Sequence, residues 1–233
     1  MTPALLLPSS LGTTEALWDA NVGSWSETFR LLPYTQPGRR SVEELGLHLL
    51  ELADAEGLER FSVCGLSLGG ATAMWVAVNA PERVDRLVLA CTSARFGEPK
   101  LWLDRAALVR EQGLEPIADE IVARWFTPRE RADVVDRFRR MLLETPREAY
   151  AACCEALAAW DFRDRLGEIR TPTLVIAGAQ DPATPPADAE ELATGIPDAQ
   201  LAVIPDASHL ANVARPPEFS RLVAGHLAAV EVG

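Results

Sequence analysis

The chain has 233 residues, of which 48% are apolar and 24% are charged. This composition excludes an intrinsically disordered chain and predicts one globular domain with a sizeable core and room for one inserted subdomain. The formal net charge of −12 opposes electrostatic attraction to nucleic acid or anionic lipid, so we expect neither nucleic acid nor a membrane as a partner. A small-molecule partner is expected instead.

The cysteines argue against a disulfide scaffold and against a metal site. Cys64, Cys91, Cys153 and Cys154 stand in apolar sequence, without the density of a secreted scaffold or the spacing of a zinc site. The apolar segment at residues 4–7 follows no basic stretch and is far shorter than a membrane span. We therefore expect reduced thiols, no metal, no targeting signal and a cytoplasmic location.

Two short strands and one helix are predicted first along the chain. Residues 4–8 and 29–33 are apolar runs typical of strands. Residues 41–56 carry apolar side chains at helical spacing, with Ser41 as the predicted N-cap and Glu44 completing a capping box. Gly57 follows the last predicted turn, as is common at the end of a helix.

Later strands alternate with helical segments, which predicts an α/β fold with a mostly parallel sheet. The strands are predicted at residues 61–64, 84–90, 173–177 and 201–204. Between them, helical periods replace the strand pattern at residues 101–112, 114–126, 129–144 and 147–160. We therefore predict a core formed by residues 1–97 and 168–233, with residues 98–167 inserted as a helical cap over the carboxyl edge of the sheet.

A Gly-x-Ser-x-Gly sequence directly follows the predicted strand at 61–64 and directly precedes a helical run at 71–78. Such a strand-to-helix turn exposes the central serine, and the flanking glycines let neighbouring backbone pack closely. Ser67 is therefore the predicted nucleophile. The alternative is a glycine-rich connection with a capping serine.

A serine hydroxyl needs a base to remove its proton, and a carboxylate to orient that base. Of the three histidines, His48 and His226 fall within predicted helices, whereas His209 follows the strand at 201–204. Asp181 follows the strand at 173–177, and the order Ser67, Asp181, His209 is the one that this architecture uses. His209 as an ordinary surface residue is the alternative to its role as base. Competing carboxylates are the following residues: Asp206, Asp161 and Asp164.

Acyl transfer also needs two backbone donors for the developing oxyanion. The amide of Leu68 follows the nucleophile directly, and the loop after the first strand offers the amide of Leu11. An ordinary Ser/Gly turn is the alternative interpretation of that loop from its local sequence.

Several segments together carry a resemblance to one family. They are LLLPSSLGTTEALWD, GLSLGGATAMWVAVNAPERVDRLVLACTSARFGEP, ARWFTP, YAACCEAL, TPTLVIAGAQDPATPP and IPDASHLANVARP. The chain resembles the 3-oxoadipate enol-lactonases, a branch of the α/β-hydrolase superfamily. The resemblance implies hydrolysis of the enol-lactone of 3-oxoadipate in the β-ketoadipate route of aromatic catabolism, with neither metal nor organic cofactor.

On this resemblance, Ser67 attacks the lactone carbonyl and a cation holds the substrate carboxylate. Arg95, in the loop after the strand at 84–90, is the first candidate, and Arg124 beside Trp125 in the cap is the second. Trp125 and Trp102 could wall the pocket. The alternatives are surface salt bridges for both arginines and ordinary core packing for the tryptophans.

The chain departs from the family in two places. Relatives begin with additional strands, so we expect a sheet shortened at its N-terminal edge, where an exposed edge strand could recruit a second subunit unless Pro33 blunts it. Relatives also carry an Arg-Gly-His-Gly segment where residues 33–41 run directly into a helix here, which could change the pocket. A general carboxylesterase or a biosynthetic hydrolase with another acyl substrate is therefore the second hypothesis, and a non-catalytic or cyclase-like homologue is the third.

Overall fold

Six strands form a single sheet in which every neighbouring pair is parallel. The computed structural model describes residues 2–228. Within them the strands are β1 (Ala4–Pro8), β2 (Arg30–Tyr34), β3 (Phe61–Leu66), β4 (Val84–Ala90), β5 (Thr173–Gly178) and β6 (Gln200–Ile204). Their spatial order is β2-β1-β3-β4-β5-β6. The predicted α/β fold is therefore confirmed, with small shifts at the ends of the strands.

Helices occupy the connections between the strands. They are α1 (Asp19–Trp25), α2 (Val42–Ala55), α3 (Leu68–Asn79), α4 (Pro99–Gln112), α5 (Ala118–Trp125), α6 (Ala132–Glu144), α7 (Arg147–Ala159), α8 (Pro186–Gly195), α9 (Ala211–Ala214) and α10 (Pro216–Ala228). The predicted helix at 114–126 is divided into a 3-10 turn at Glu115–Ile117 and α5.

Side chains of the inner strands are buried on both faces of the sheet. In β1, Leu5 and Leu7 contribute to one hydrophobic cluster, whereas Ala4 and Leu6 contribute to the other. This alternation follows from the two-residue period of a strand. It accounts for the almost uninterrupted apolar sequences of these strands, because helices cover both faces of a parallel sheet.

The N-terminus of α2 differs in one detail from the predicted capping box. Ser41 Oγ accepts a hydrogen bond from the Glu44 amide at 3.1 Å, as predicted. The Glu44 carboxylate, however, accepts from the amide of Arg40 at 3.0 Å, one residue before the N-cap. The predicted residues therefore cap the start of α2, but Glu44 accepts from the amide of Arg40 instead of that of Ser41.

The helices α4 to α7 lie between β4 and β5, where the insertion is predicted. The guanidinium of Arg110 in α4 joins this helix to α7 through ion pairs with Glu148 and Glu155, at 2.8 and 2.5 Å. The division into a core at 1–97 and 168–233 and a cap at 98–167 remains a prediction.

β2 forms one edge of the sheet, and its Pro33 lies opposite Leu7 of β1. Proline suits an edge strand because it has no N–H to donate to a neighbouring strand. Recruitment of a second subunit at this edge remains a prediction.

Over residues 2–228, no helix has the length and apolar character that crossing a membrane requires.

Candidate active site

The turn between β3 and α3 holds Ser67 in a backbone conformation that few serines adopt. Its φ is 57° and its ψ is −114°, at the N-cap position of α3. Close packing requires the two flanking glycines. A Cβ on Gly65 would lie 2.1 Å from the carbonyl oxygen of Gly69, and a Cβ on Gly69 would lie 2.3 Å from that of Pro8. The sequence Gly-x-Ser-x-Gly therefore forms the strained strand-to-helix turn expected of a nucleophile.

Main-chain hydrogen bonds fix Ser67 to the neighbouring strand. Its amide donates to the carbonyl of Ala90 at the end of β4, at 2.9 Å. The Thr92 hydroxyl donates to the Ser67 carbonyl at 2.7 Å. Over residues 2–228, Ser67 Oγ makes no hydrogen bond, so its hydroxyl has no structural partner.

Asp181 and His209 form a buried hydrogen-bonded pair. His209 Nδ1 lies 2.8 Å from Asp181 Oδ2, and the two residues are only 4% and 3% exposed. The Thr184 hydroxyl donates to the same Oδ2 at 2.8 Å, while Oδ1 accepts from the amides of Ala183 and Thr184 at 2.8 and 3.1 Å. Because Nδ1 is occupied by the carboxylate, Nε2 is the nitrogen left to act on another group.

The environment of Asp181 favours its charged form on balance. Burial by itself raises the pKa of this carboxyl, but the charge and hydrogen bond of His209 and the hydrogen bonds of Thr184 outweigh it. The net result is a pKa below the usual value for an aspartate. An ionised carboxylate beside Nδ1 is the state that would orient the imidazole and stabilise its protonated form.

Ser67, Asp181 and His209 all follow the carboxyl ends of strands, namely β3, β5 and β6. In a parallel sheet these ends share one edge, so the fold places all three residues on the same side. Ser67 and His209 are not joined by a direct hydrogen bond over residues 2–228. Such catalytic contacts are often long in the absence of substrate and shorten when it binds.

The other histidines and carboxylates lie elsewhere. His48 is paired with Glu51 on the outer side of α2 at 3.6 Å, and His226 Nε2 lies 3.1 Å from the carbonyl of Pro172. Asp206 is an exposed turn residue with a φ of 53°. Asp161 pairs with its neighbour Arg163 on the surface, and Asp164 is also exposed.

The loop after β1, which carries Leu11, lies against the start of α3. Ser10 anchors a tight turn by accepting from the amide of Thr13 at 3.2 Å and from its hydroxyl at 2.9 Å. Leu68 is the first residue of α3, where backbone amides have no partner within the helix. Leu11 and Leu68 line one cavity of about 110 Å³, which also borders Gln36 and the cap residue Tyr150.

Both predicted carboxylate ligands form ion pairs, which was the alternative for each, so their role as ligands remains a prediction. Arg95 lies in the loop after β4, and its guanidinium is 3.3 Å from Glu98, a carboxylate that is itself 74% exposed. The guanidinium of Arg124 pairs with Glu120 along α5, at 2.5 Å. The ring of Trp125 is 4% exposed and packs edge-on against Phe138, which is the core role that was the alternative to a pocket wall.

Sequence reasoning missed Thr184 and Ser208 beside the predicted triad, and Arg105 in the predicted cap. Thr184 donates to Asp181, and the Ser208 hydroxyl donates to the carbonyl of Arg124. Arg105 of α4 lies over the ring of Trp102, with its guanidinium carbon 4.9 Å from the ring centroid. Only Thr184 has a sequence signal, because a hydroxyl three residues after an aspartate is typical of a side-chain turn.

Within residues 2–228, no three His, Cys, Asp or Glu side chains lie together so that they could bind a metal ion. The four cysteines are free and buried. Burial raises the pKa of the Cys153 thiol to about 11, which disfavours the thiolate that a metal would require.

The strained serine turn, the buried Asp–His pair and the parallel sheet are together typical of α/β hydrolases. A family model described as the alpha/beta hydrolase fold matches residues 41–216, and the chain belongs to this family. It is 38% identical to 3-oxoadipate enol-lactonase 2 from Acinetobacter baylyi, over 95% of this chain and 87% of that protein. The predicted resemblance to the enol-lactonases is therefore confirmed.

Solved structures show the same likeness. The enol-lactonase from Burkholderia xenovorans LB400 has a TM-score of 0.93 at 35% identity, covering 98% of this chain and 92% of that chain. A thermophilic esterase from Thermogutta terrifontis, whose structure has malate bound, has a TM-score of 0.90 at 30% identity, covering 97% and 89%.

Proposed function

We propose that this α/β hydrolase opens a small carboxylate-bearing lactone through an acyl-enzyme on Ser67, with 3-oxoadipate enol-lactone as the first substrate to test. The relatives support the coarser statement that the chain hydrolyses lactone or ester bonds. The observation that carries the proposal is the buried 2.8 Å contact between His209 Nδ1 and Asp181, at the sheet edge that also carries Ser67.

In the proposed first step, His209 Nε2 removes the proton of Ser67 Oγ as this oxygen attacks the lactone carbonyl. The amides of Leu11 and Leu68 stabilise the negative charge that develops on the carbonyl oxygen. The C–O bond of the ring then breaks, and the ring oxygen leaves as an enolate that takes up the proton from His209 Nε2; the resulting enol tautomerises to a ketone, and His209 is neutral again. An enolate is a better leaving group than an alkoxide, so little acid assistance is needed.

In the second step, His209 accepts a proton from water as the water oxygen attacks the acyl carbon. The ester bond to Ser67 breaks, and the proton returns to Oγ, which restores the free enzyme. Asp181 keeps its charge throughout and stabilises the protonated imidazole at each step. Its lowered pKa favours that charge near neutral pH.

A fluorophosphonate probe tests the nucleophile and separates an enzyme from a non-catalytic homologue. We expect stoichiometric labelling of the wild type and none of Ser67→Ala, because the probe reacts with activated serines. Labelling that is absent from the wild type, or equal in Ser67→Ala, would contradict the proposal. Loss of enol-lactone absorbance, measured against the Ser67→Ala protein, then tests the substrate. Turnover of simple esters without turnover of the lactone would favour the carboxylesterase hypothesis.

Arg95 is the proposed ligand of the substrate carboxylate. A hydrogen bond to a charged group contributes about 1.5–3 kcal/mol, so Arg95→Ala should raise KM for the carboxylate substrate by roughly 10- to 100-fold with little change in kcat. KM for a neutral ester such as p-nitrophenyl acetate should not change. Arg131→Ala, which removes a surface arginine paired with Asp133, is the matched control. Equal effects on both substrates would rule out this role for Arg95.

A further inference from the structure

The last turn of α5 is hydrogen bonded to both neighbours of His209. Ser208 Oγ donates to the carbonyl oxygen of Arg124 at 2.7 Å. The amide of Leu210 donates to the carbonyl oxygen of Trp125 at 3.0 Å. Carbonyls in the final turn of a helix have no partner within the helix, so this end of the cap helix is satisfied by the loop that carries the histidine.

The Ser208 hydroxyl also approaches the loop that carries Asp181. Its oxygen lies 3.3 Å from the carbonyl oxygen of Gln180, and the Gln180 amide donates to the carbonyl of Ala207 at 2.9 Å. Ser208 is 2% exposed, so water has little access to replace these contacts. One buried hydroxyl therefore lies at the meeting point of the cap, the Asp181 loop and the His209 loop.

We propose that Ser208 is a positioning residue, which together with the final turn of α5 holds the His209 imidazole in line with Asp181. The inference rests on the proposed function, in which His209 is the base. The hydrogen bond to Asp181 restrains only Nδ1 of His209 and does not by itself fix the backbone of the histidine. The bonds at Ser208 and Leu210 fix that backbone on each side, and they do so through the main chain of Arg124 and Trp125.

The expected effect follows from the sensitivity of catalysis to position. Misplacing a catalytic group by 1 Å can lower a rate by about 100-fold. Ser208→Ala removes one of the two anchors and leaves the Leu210 bond intact, so we expect Ser67 to react with a fluorophosphonate roughly 10-fold more slowly. Ser208→Thr retains a hydroxyl and should restore most of the rate.

Ser220→Ala is the matched control for a general loss of stability. Ser220 is 4% exposed, and its hydroxyl accepts from Asn21 Nδ2 at 3.0 Å. Asn21 is hydrogen bonded to Asn212 at the start of α9 and not to Ser208 or Leu210. We expect Ser220→Ala to lower the unfolding temperature by a similar amount while it leaves the labelling rate within about two-fold of the wild type. An unchanged labelling rate in Ser208→Ala, or an equal loss of labelling rate in Ser220→Ala, would overturn the inference.

A second readout does not depend on the reactivity of Ser67. In protein with ¹⁵N-labelled histidine, the Nδ1 proton of His209 should give a downfield resonance, assigned by its loss in His209→Gln. Ser208→Ala should broaden or remove this signal, whereas Ser220→Ala should keep it. If the wild type does not react with the probe, the proposed function fails, and this signal alone decides the inference: its persistence in Ser208→Ala would overturn the positioning role.

Discussion

Replacing Asp181 by asparagine should disable the proposed base while keeping the two backbone hydrogen bonds to Oδ1. Oδ1 accepts from two backbone amides, those of Ala183 and Thr184, so an asparagine must place its oxygen there. Its NH₂ group then occupies the position of Oδ2 and faces Nδ1 of His209, which lies 2.8 Å from that position. Nδ1 becomes an acceptor, the proton moves to Nε2, and Nε2 can no longer remove a proton from Ser67.

A histidine held in this wrong tautomer lowers kcat by about 10⁴-fold in a serine protease, which is about 5.4 kcal/mol of transition-state stabilisation. We expect a loss of this order for Asp181→Asn, measured by hydrolysis of p-nitrophenyl acetate and by the rate of fluorophosphonate labelling. Asp206→Asn is the control, because Asp206 was a competing carboxylate and is exposed, 4.0 Å from Arg129. If Asp181→Asn kept more than about a tenth of the activity, or Asp206→Asn lost as much, the assignment would be wrong.

Two further predictions concern stability. Gly23→Ala should raise the free energy of unfolding by about 0.5–1 kcal/mol, because a Cβ there meets no atom within 4 Å and alanine loses less backbone entropy in α1. Gly65→Ala should instead lower the free energy of unfolding strongly, because its Cβ would lie 2.1 Å from a backbone carbonyl oxygen. Thermal denaturation measures both, and equal effects would contradict the packing described for the serine turn. Burial lowers the pKa of His226, so the unfolded chain binds the proton more readily and stability should fall as pH drops below about 6.5. His226→Gln should flatten this dependence in urea titrations at several pH values; a wild-type slope in His226→Gln would refute the assignment.

The sequence was sufficient to predict the three residues of the proposed triad because each one follows a strand. Local patterns identify the strands, and parallel strands bring their carboxyl ends to one edge regardless of their separation along the chain. The close contact of His209 with Asp181, 28 residues earlier, is therefore predictable from strand order and residue type. Packing details such as the shifted partner of Glu44 in the capping box are not, because the amides of Arg40 and Ser41 are adjacent and either could donate to the Glu44 carboxylate.

The prediction for the cap was less complete because it considered side chains alone. Glu120 stands four residues before Arg124 in the same helix, a spacing that favours an ion pair on the helix surface. The carbonyl of Arg124, by contrast, accepts from Ser208, 84 residues later, and a main-chain acceptor has no sequence signature. Substitution of Arg124 can therefore remove the surface ion pair but leaves this carbonyl in place. The hydrogen bond between the cap and the histidine loop must instead be removed by substituting Ser208.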